Sequence, residues 1–264
     1  MIRINYLNHR NNTGLGNKLF QNFLARALSI ENNEPLENWL RTEIYAGKEE
    51  PYDDVHHDKW GLAWPHINHN DSKITVVGGG TNCGYGDEYH QNERTIEIIS
   101  KHKDSLIKDF GERSEDVCPQ VFVHARFGDL VDGNRLDDVC PYEHYALCLS
   151  GFKGGYIASD SPNNSVVKAL CDDFGLTLYN GTPEETIIFG SQFPNKILSR
   201  GTFSWWIGFI GSQNNVMYPN PNAYSRWNGH IFECMQDWKR IDDPRHMDGL
   251  DVDDIKRINA LTRF

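Results

Sequence analysis

The sequence has no apolar run long enough to cross a bilayer. Its first residues, Met1-Ile2-Arg3-Ile4-Asn5-Tyr6, enter a strand-like pattern without the apolar core of a signal peptide. Lacking both devices, the chain is expected to work in the cytoplasm, of a bacterial-type cell or, for a viral protein, of its host. Positive charge is scarce: 26 Lys and Arg stand against 37 Asp and Glu, a formal charge of -11. That balance excludes a general nucleic-acid binder, which needs a basic stripe to meet phosphates. It still allows a small basic pocket for one diphosphate beneath an acidic exterior. The six cysteines (Cys83, Cys118, Cys140, Cys148, Cys171, Cys234) form no Cys-x-x-Cys pair and no tight framework, so they read as reduced thiols. The sequons Asn11-Asn12-Thr13 and Asn180-Gly181-Thr182 are then coincidental. Internal repeats and low-complexity tracts are missing too, and 39% apolar with 24% charged residues excludes disordered and collagen-like chains. His66 and His69 have a spacing that could meet a metal, yet no cysteine or acidic pattern completes a set, and no metal site is expected.

What is present is an alternation of strand and helix signals. Residues 2–7 read as a strand, followed by the turn Asn12-Thr13-Gly14-Leu15-Gly16. Leu19, Phe20, Phe23, Leu24, Ala27 and Leu28 then recur at helical spacing. Residues 35–73 carry no clear period and read as irregular. Ile74 to Val77 is a short buried strand, and one helix is expected over about 92–110 with Ile96, Ile99, Leu106 and Phe110 on one side. A linker near Gly111 to Pro119 divides the chain into halves, 1–115 and 116–264. In the second half, apolar runs at 121–125, 156–158, 176–179, 196–198 and 215–218 have the length of buried parallel strands. Helical patterns separate them, at Val166 to Phe174, Ile187 to Phe189 and Phe203 to Ile210. Alternation of this kind implies a doubly wound α/β sheet, which binds ligands at the carboxyl ends of its strands.

The distinctive residues cluster at those ends. Gly14-Leu15-Gly16-Asn17 joins a strand to an amphipathic helix, where glycines permit close backbone approach and a helix N-terminus favours an anion. An ordinary strand-to-helix turn is the plain alternative. His124-Ala125-Arg126-Phe127-Gly128-Asp129 follows the buried run Val121-Phe122-Val123. An arginine there can grip a diphosphate bidentately and neutralise charge on a departing group; a loop ion pair between Arg126 and Asp129, with His124 satisfied by backbone, is the alternative. In Ser199-Arg200-Gly201-Thr202-Phe203-Ser204-Trp205-Trp206, small hydroxyls at a helix start can cap it or bind phosphate, and the tryptophan pair reads as core. Asp160, in Ser159-Asp160-Ser161-Pro162, is placed to accept hydrogen bonds from a base or ribose, or else belongs to a helix N-cap ahead of Pro162.

Taken in order, the blocks GLGNKLFQNFLARAL, VFVHARFGDL, GYIASDSP and ILSRGTFSWWIGFIG resemble α-1,2-fucosyltransferases of glycosyltransferase family 11, from Gly14 to about Pro219. The resemblance implies a GT-B-like fold, two Rossmann-type halves facing a cleft, with acceptor contacts in the N-terminal half and the nucleotide in the C-terminal half. It implies an inverting, metal-independent transfer of a sugar, L-fucose from GDP-fucose in first place, onto a glycan acceptor. No further cofactor and no nucleic-acid partner are implied. Arg126 matches the family arginine at the donor β-phosphate. His124 and Asp160 match positions that read the guanine nucleotide, Thr202, Phe203 and Ser204 match the phosphate-binding segment, and Asn17 matches an asparagine near the donor, beside Gly14 and Gly16. Asp129 stands as candidate base or as the partner that holds Arg126. The chain departs from the family at Phe127, where a second arginine is usual, at Lys18 for glutamine, at Ser161 for an acidic residue, and at Arg200-Gly201 for Asn-Ser. These exchanges suggest that cations beside the diphosphate have moved to Lys18 and Arg200. UDP-xylose or UDP-galactose as donor, and a non-catalytic nucleotide-binding module, are the competing readings.

Overall fold

The computed structural model describes residues 2–4, 15–34, 36–38, 75–77, 91–107, 121–211, 215–220 and 230–242. The chain divides into two units, Met1–Glu112 and Arg113–Phe264. Among the described residues no helix is long and apolar enough to cross a membrane.

In the first unit, β1 (Ile2–Ile4) is the middle of a three-stranded parallel sheet, between β2 (Leu36–Asn38) and β3 (Thr75–Val77). Helix α1 (Leu15–Asn32) follows β1 and buries Leu19, Phe20, Phe23, Leu24 and Ala27, the stripe that the 3.6-residue period requires. The single helix expected over 92–110 is instead two: α2 (Glu93–Lys101) and α3 (Lys103–Leu106). The side chain of Asn92 caps α2 by accepting from Thr95 N at 3.0 Å. His102, at φ -106 and ψ 9, leaves helical geometry and interrupts the ladder, and its carbonyl takes the N–H groups of Ser105 and Leu106 as the second helix begins. Phe110 lies outside the described residues. The strand β2 corrects the irregular reading at Leu36–Asn38. Leu-Glu-Asn is too short to show a period of its own, and it is a strand because β1 supplies the pairing.

The second unit is a six-stranded sheet, parallel throughout. Its strands are β4 (Val121–Ala125), β5 (Gly155–Ser159), β6 (Leu176–Leu178), β7 (Asn195–Ile197), β8 (Asn215–Pro219) and β9 (Lys239–Ile241). The spatial order is β6-β5-β4-β7-β8-β9. Counted within the unit this is 3-2-1-4-5-6, the doubly wound order whose direction reverses between the first and fourth strands. The expected strands are all present, and β9 is an additional one. The connections carry α4 (Gly128–Asp132), a 3-10 turn (Leu136–Asp138), α5 (Tyr142–Leu149), α6 (Ser165–Phe174), α7 (Pro183–Ser191), α8 (Thr202–Ile210) and α9 (His230–Glu233).

Strand β4 is buried along its whole length, and its alternation sorts the helices onto two faces. Val121, Val123 and Ala125 join one core cluster with Tyr145 and Leu149 of α5 and with Val166, Val167 and Leu170 of α6. Phe122 points the other way, onto Phe189 of α7 and Phe193, at ring centroid distances of 6.0 and 5.6 Å. His124 shares the Phe122 face and meets the start of α8. Local signals fix the helix ends. Asn164 caps α6, and Gly175 ends it at φ +66. A reciprocal Thr182–Glu185 capping box with Pro183 at the first position starts α7. The tryptophan pair of α8 is fully buried, as its pattern predicts.

Candidate functional site

The reversal of strand order leaves the carboxyl ends of β4 and β7 side by side, each feeding a helix that goes to a different face of the sheet. His124, Arg126 and Asp129 belong to the first end; Arg200, Thr202, Phe203 and Ser204 belong to the second. Asp160 stands at the end of β5, on the other side of β4.

Arg126 is the first residue beyond β4. Its Nε donates to Asp129 Oδ1 at 3.0 Å and its Nη2 to Asp129 Oδ2 at 2.6 Å, a side-on bidentate pair. The ion pair of the alternative reading is therefore present, though the two partners differ: the arginine side chain is 29% exposed and the aspartate 59%. What covers the arginine is Gly201. At φ +111 this residue occupies a backbone region closed to most side chains, and a Cβ placed on it would lie 2.3 Å from Arg126 Nη1. Of the five guanidinium N–H groups the aspartate takes two. The end-on edge, formed by Nη1 and the second proton of Nη2, keeps the fork geometry that fits a phosphate or carboxylate.

Gly201 also occupies the N-cap position of α8, and no side chain caps that end. The positive end of the helix dipole therefore sits against the guanidinium that Gly201 supports. The Asp129 carboxyl is held below the usual carboxylate range. Burial works to raise it, but hydrogen bonds and charge from Arg126, helped by Arg135, outweigh burial. A carboxylate with both oxygens engaged by arginine is a weak base and a good brace.

His124 is buried, and its Nδ1 lies 3.1 Å from Ser199 Oγ and 2.5 Å from Ser204 Oγ. Its satisfaction comes from side-chain hydroxyls, not from backbone. Phe203 packs on the imidazole at 4.9 Å between centroids. Burial, with a smaller push from the Arg126 charge, drives the imidazole down to about 3, so the ring is neutral.

Asp160 ties the two neighbouring strand ends together: its Oδ1 accepts from Phe127 N at 2.8 Å. Gly128 makes room for it, since a Cβ there would lie 2.9 Å from Asp160 Oδ2. The cap reading of Ser159 to Pro162 is corrected, because α6 begins three residues later with Asn164 as its cap. Beside Asp160 a cavity of about 350 Å³ opens between Phe127, Gly128 and Val131 on one side and Ser161 to Asn164 on the other. Arg200 is buried and turns to the end of β8, where its Nη2 donates to Asn220 O at 3.2 Å.

Gly16 and Asn17 lie in the first turn of α1, in the other unit, where Asn17 Oδ1 accepts from Gln91 Nε2 at 2.9 Å. Gly14 and the histidines of the 35–73 stretch lie outside the described residues. Sequence reasoning passed over Ser199, Gly128 and Gly201 as site residues, although the glycines stand where a strand hands over to a helix. Cys140, Cys148, Cys171 and Cys234 are free thiols; Cys83 and Cys118 fall outside the described residues. Comparison of the chain with family models, curated proteins and solved structures finds no match.

Proposed function

We propose that the chain is an inverting, metal-independent glycosyltransferase that moves L-fucose from GDP-fucose onto a hydroxyl of a glycan acceptor. One observation carries the reading. At the reversal of strand order, Arg126 is braced side-on by Asp129 and laid over Gly201 at the uncapped N-terminus of α8, with its end-on fork unused by either. A guanidinium with a donor edge left over, lying at an uncapped helix N-terminus, supports the binding of an anion. The motif resemblance to family 11 fucosyltransferases gives the anion its identity, the donor diphosphate. The motif resemblance assigns acceptor contacts to the unit that bears Gly14, Gly16 and Asn17.

The chemistry follows from the charge. As the sugar departs, its carbon takes on oxocarbenium character and the diphosphate gains negative charge. Arg126 and the first turn of α8, with Thr202 and Phe203, offset that charge, and His124 and Asp160 face the nucleoside side. Asp129 acts as the brace of Arg126. The acceptor hydroxyl attacks from the opposite face of the sugar in one displacement, and its proton leaves to solvent. Arg200, buried against Asn220, stiffens the β7 and β8 ends that carry α8.

Calorimetry with GDP, UDP, GDP-fucose and UDP-xylose, with and without a chelator, tests the reading. GDP and GDP-fucose are expected to bind, equally well with the chelator present, and GDP-fucose to be hydrolysed slowly without acceptor. Binding of uridine nucleotides alone would withdraw the guanine-reading roles of His124 and Asp160. Binding of neither would end the proposal, and binding with no turnover on any acceptor or water would leave a binding module.

Gly201→Ala provides a local check on the arginine seat. The new Cβ needs a strained backbone and displaces Nη1, so we expect about 1–2 kcal/mol of lost stability. GDP affinity should fall by at least about tenfold, although a stability loss of that size leaves almost all of the protein folded. Thermal unfolding and calorimetry on the same preparation read both numbers.

A further inference from the structure

The group at the start of α8 is a closed hydrogen-bond triangle. His124 Nδ1 lies 3.1 Å from Ser199 Oγ and 2.5 Å from Ser204 Oγ, and the two hydroxyl oxygens are 2.9 Å apart. The backbone N–H of Ser199 also donates to Ser204 Oγ, at 3.2 Å. All three side chains are buried, so solvent does not supply missing partners.

Counting protons decides how the triangle is wired. With Nδ1 as acceptor, Ser204 donates to the ring and Ser199 donates to Ser204 Oγ. The second lone pair of Ser204 takes the Ser199 backbone N–H, and each buried proton has an acceptor. With Nδ1 protonated the count fails. The ring N–H and the Ser199 backbone N–H fill both lone pairs of Ser204 Oγ, and Ser204 donates to Ser199 Oγ. The Ser199 hydroxyl proton is then left buried with no acceptor among the described residues.

We propose that Ser204, braced by Ser199, is a positioning residue that fixes His124 as the neutral Nε2–H tautomer, so that the imidazole keeps a hydrogen-bond donor on Nε2. The use of that donor toward the nucleoside of GDP rests on the glycosyltransferase reading; the tautomer does not. Ser204, which the motif resemblance puts on phosphate, acts here through the histidine. The groups facing the ring are Ser199, Ser204, the Phe203 ring and, by charge, Arg126. None of them stabilises an imidazolium, and the Arg126 charge opposes one.

The test is nitrogen NMR on the full chain labelled in histidine, with His124→Asn identifying the His124 signals. Wild type should show an unprotonated Nδ1 and a protonated Nε2, unchanged over the range in which an ordinary histidine titrates, about pH 5 to 8. In Ser199→Ala/Ser204→Ala the two tautomers should exchange, and GDP affinity should fall about tenfold, the size of one lost hydrogen bond. Ser204→Ala alone leaves Ser199 Oγ 3.1 Å from Nδ1 and able to donate to it, so if the double variant does not fold the wild-type nitrogen protonation pattern decides the matter. A protonated Nδ1 in wild type overturns the proposal, as does an unchanged single tautomer in the folded double variant. If wild type shows the fixed tautomer and binds no GDP, the inference stands and the donor assignment fails.

Discussion

On the proposed glycosyltransferase reading, Arg126→Ala should lower the rate of sugar transfer by about 10²–10³-fold while the protein keeps its fold, the size found when one preorganised charge-stabilising donor is removed. The charge on a departing diphosphate must be met at the moment it forms, and Arg126 is the cation that the strand reversal, Gly201 and Asp129 together hold in place. Stability should change little, because the guanidinium is part-exposed and its ion pair with Asp129 is too solvated to contribute much. Arg126→Lys should recover little of the rate. An ammonium cannot be gripped through two nitrogens by Asp129 and still offer a fork beyond it. Steady-state rates beside GDP affinity make the distinction: loss in the rate constant beyond the loss in binding marks transition-state stabilisation. A full-rate alanine variant would remove Arg126 from the chemistry and with it the observation on which the proposed function rests.

That arginine could be found from sequence because everything around it is written locally. A five-residue apolar run has few alternatives to a buried parallel strand, and Val121 to Ala125 is one. The residue following such a strand lies at the ligand end of a doubly wound sheet, so the position of Arg126 followed from the topology class, while its role at a diphosphate came from the motif resemblance. The segments that escaped were those specified by distant partners. Strand β9, Lys-Arg-Ile, has two exposed charged residues and owes its existence to pairing with β8. Helix α5 buries His144, Tyr145, Cys148 and Leu149 but exposes Leu147, so its eight residues show no clean apolar stripe. The pattern from Val166 to Phe174 located α6, but of the two readings of Ser159 to Pro162 the N-cap one fails, because Asn164 caps the helix through a bond from Val166 N at 2.8 Å. Nothing in the sequence pairs Ser204 with His124, which lies 80 positions away. Proximity to phosphate was the natural reading of a hydroxyl at a helix start, and the partner across the sheet was visible only after folding.

Trp205→Ala should destabilise the protein by about 3–5 kcal/mol, the range for removing a large aromatic side chain from a packed core. For a unit of this size that corresponds to a fall of roughly 6–20 °C in melting temperature. Trp205 is fully buried, stacked on Phe209 at 4.5 Å between centroids and set edge-on to Trp206 at 5.0 Å. Its indole nitrogen donates to Ile231 O at 2.9 Å, tying α8 to α9. Truncation leaves a cavity and strands that carbonyl, and the two costs can be separated. Trp205→Phe retains most of the packing and removes only the donor, so it should lose about 1–3 kcal/mol. If the two variants lose the same amount, the hydrogen bond dominates and the stacking adds little. The expected ordering, alanine well below phenylalanine, means that aromatic packing anchors α8. The consequence for function is direct, because Gly201 and Ser204 ride on the first turn of that helix. A looser α8 blurs the seat of Arg126 and the triangle around His124, so the alanine variant should lose GDP affinity even at temperatures where it remains folded.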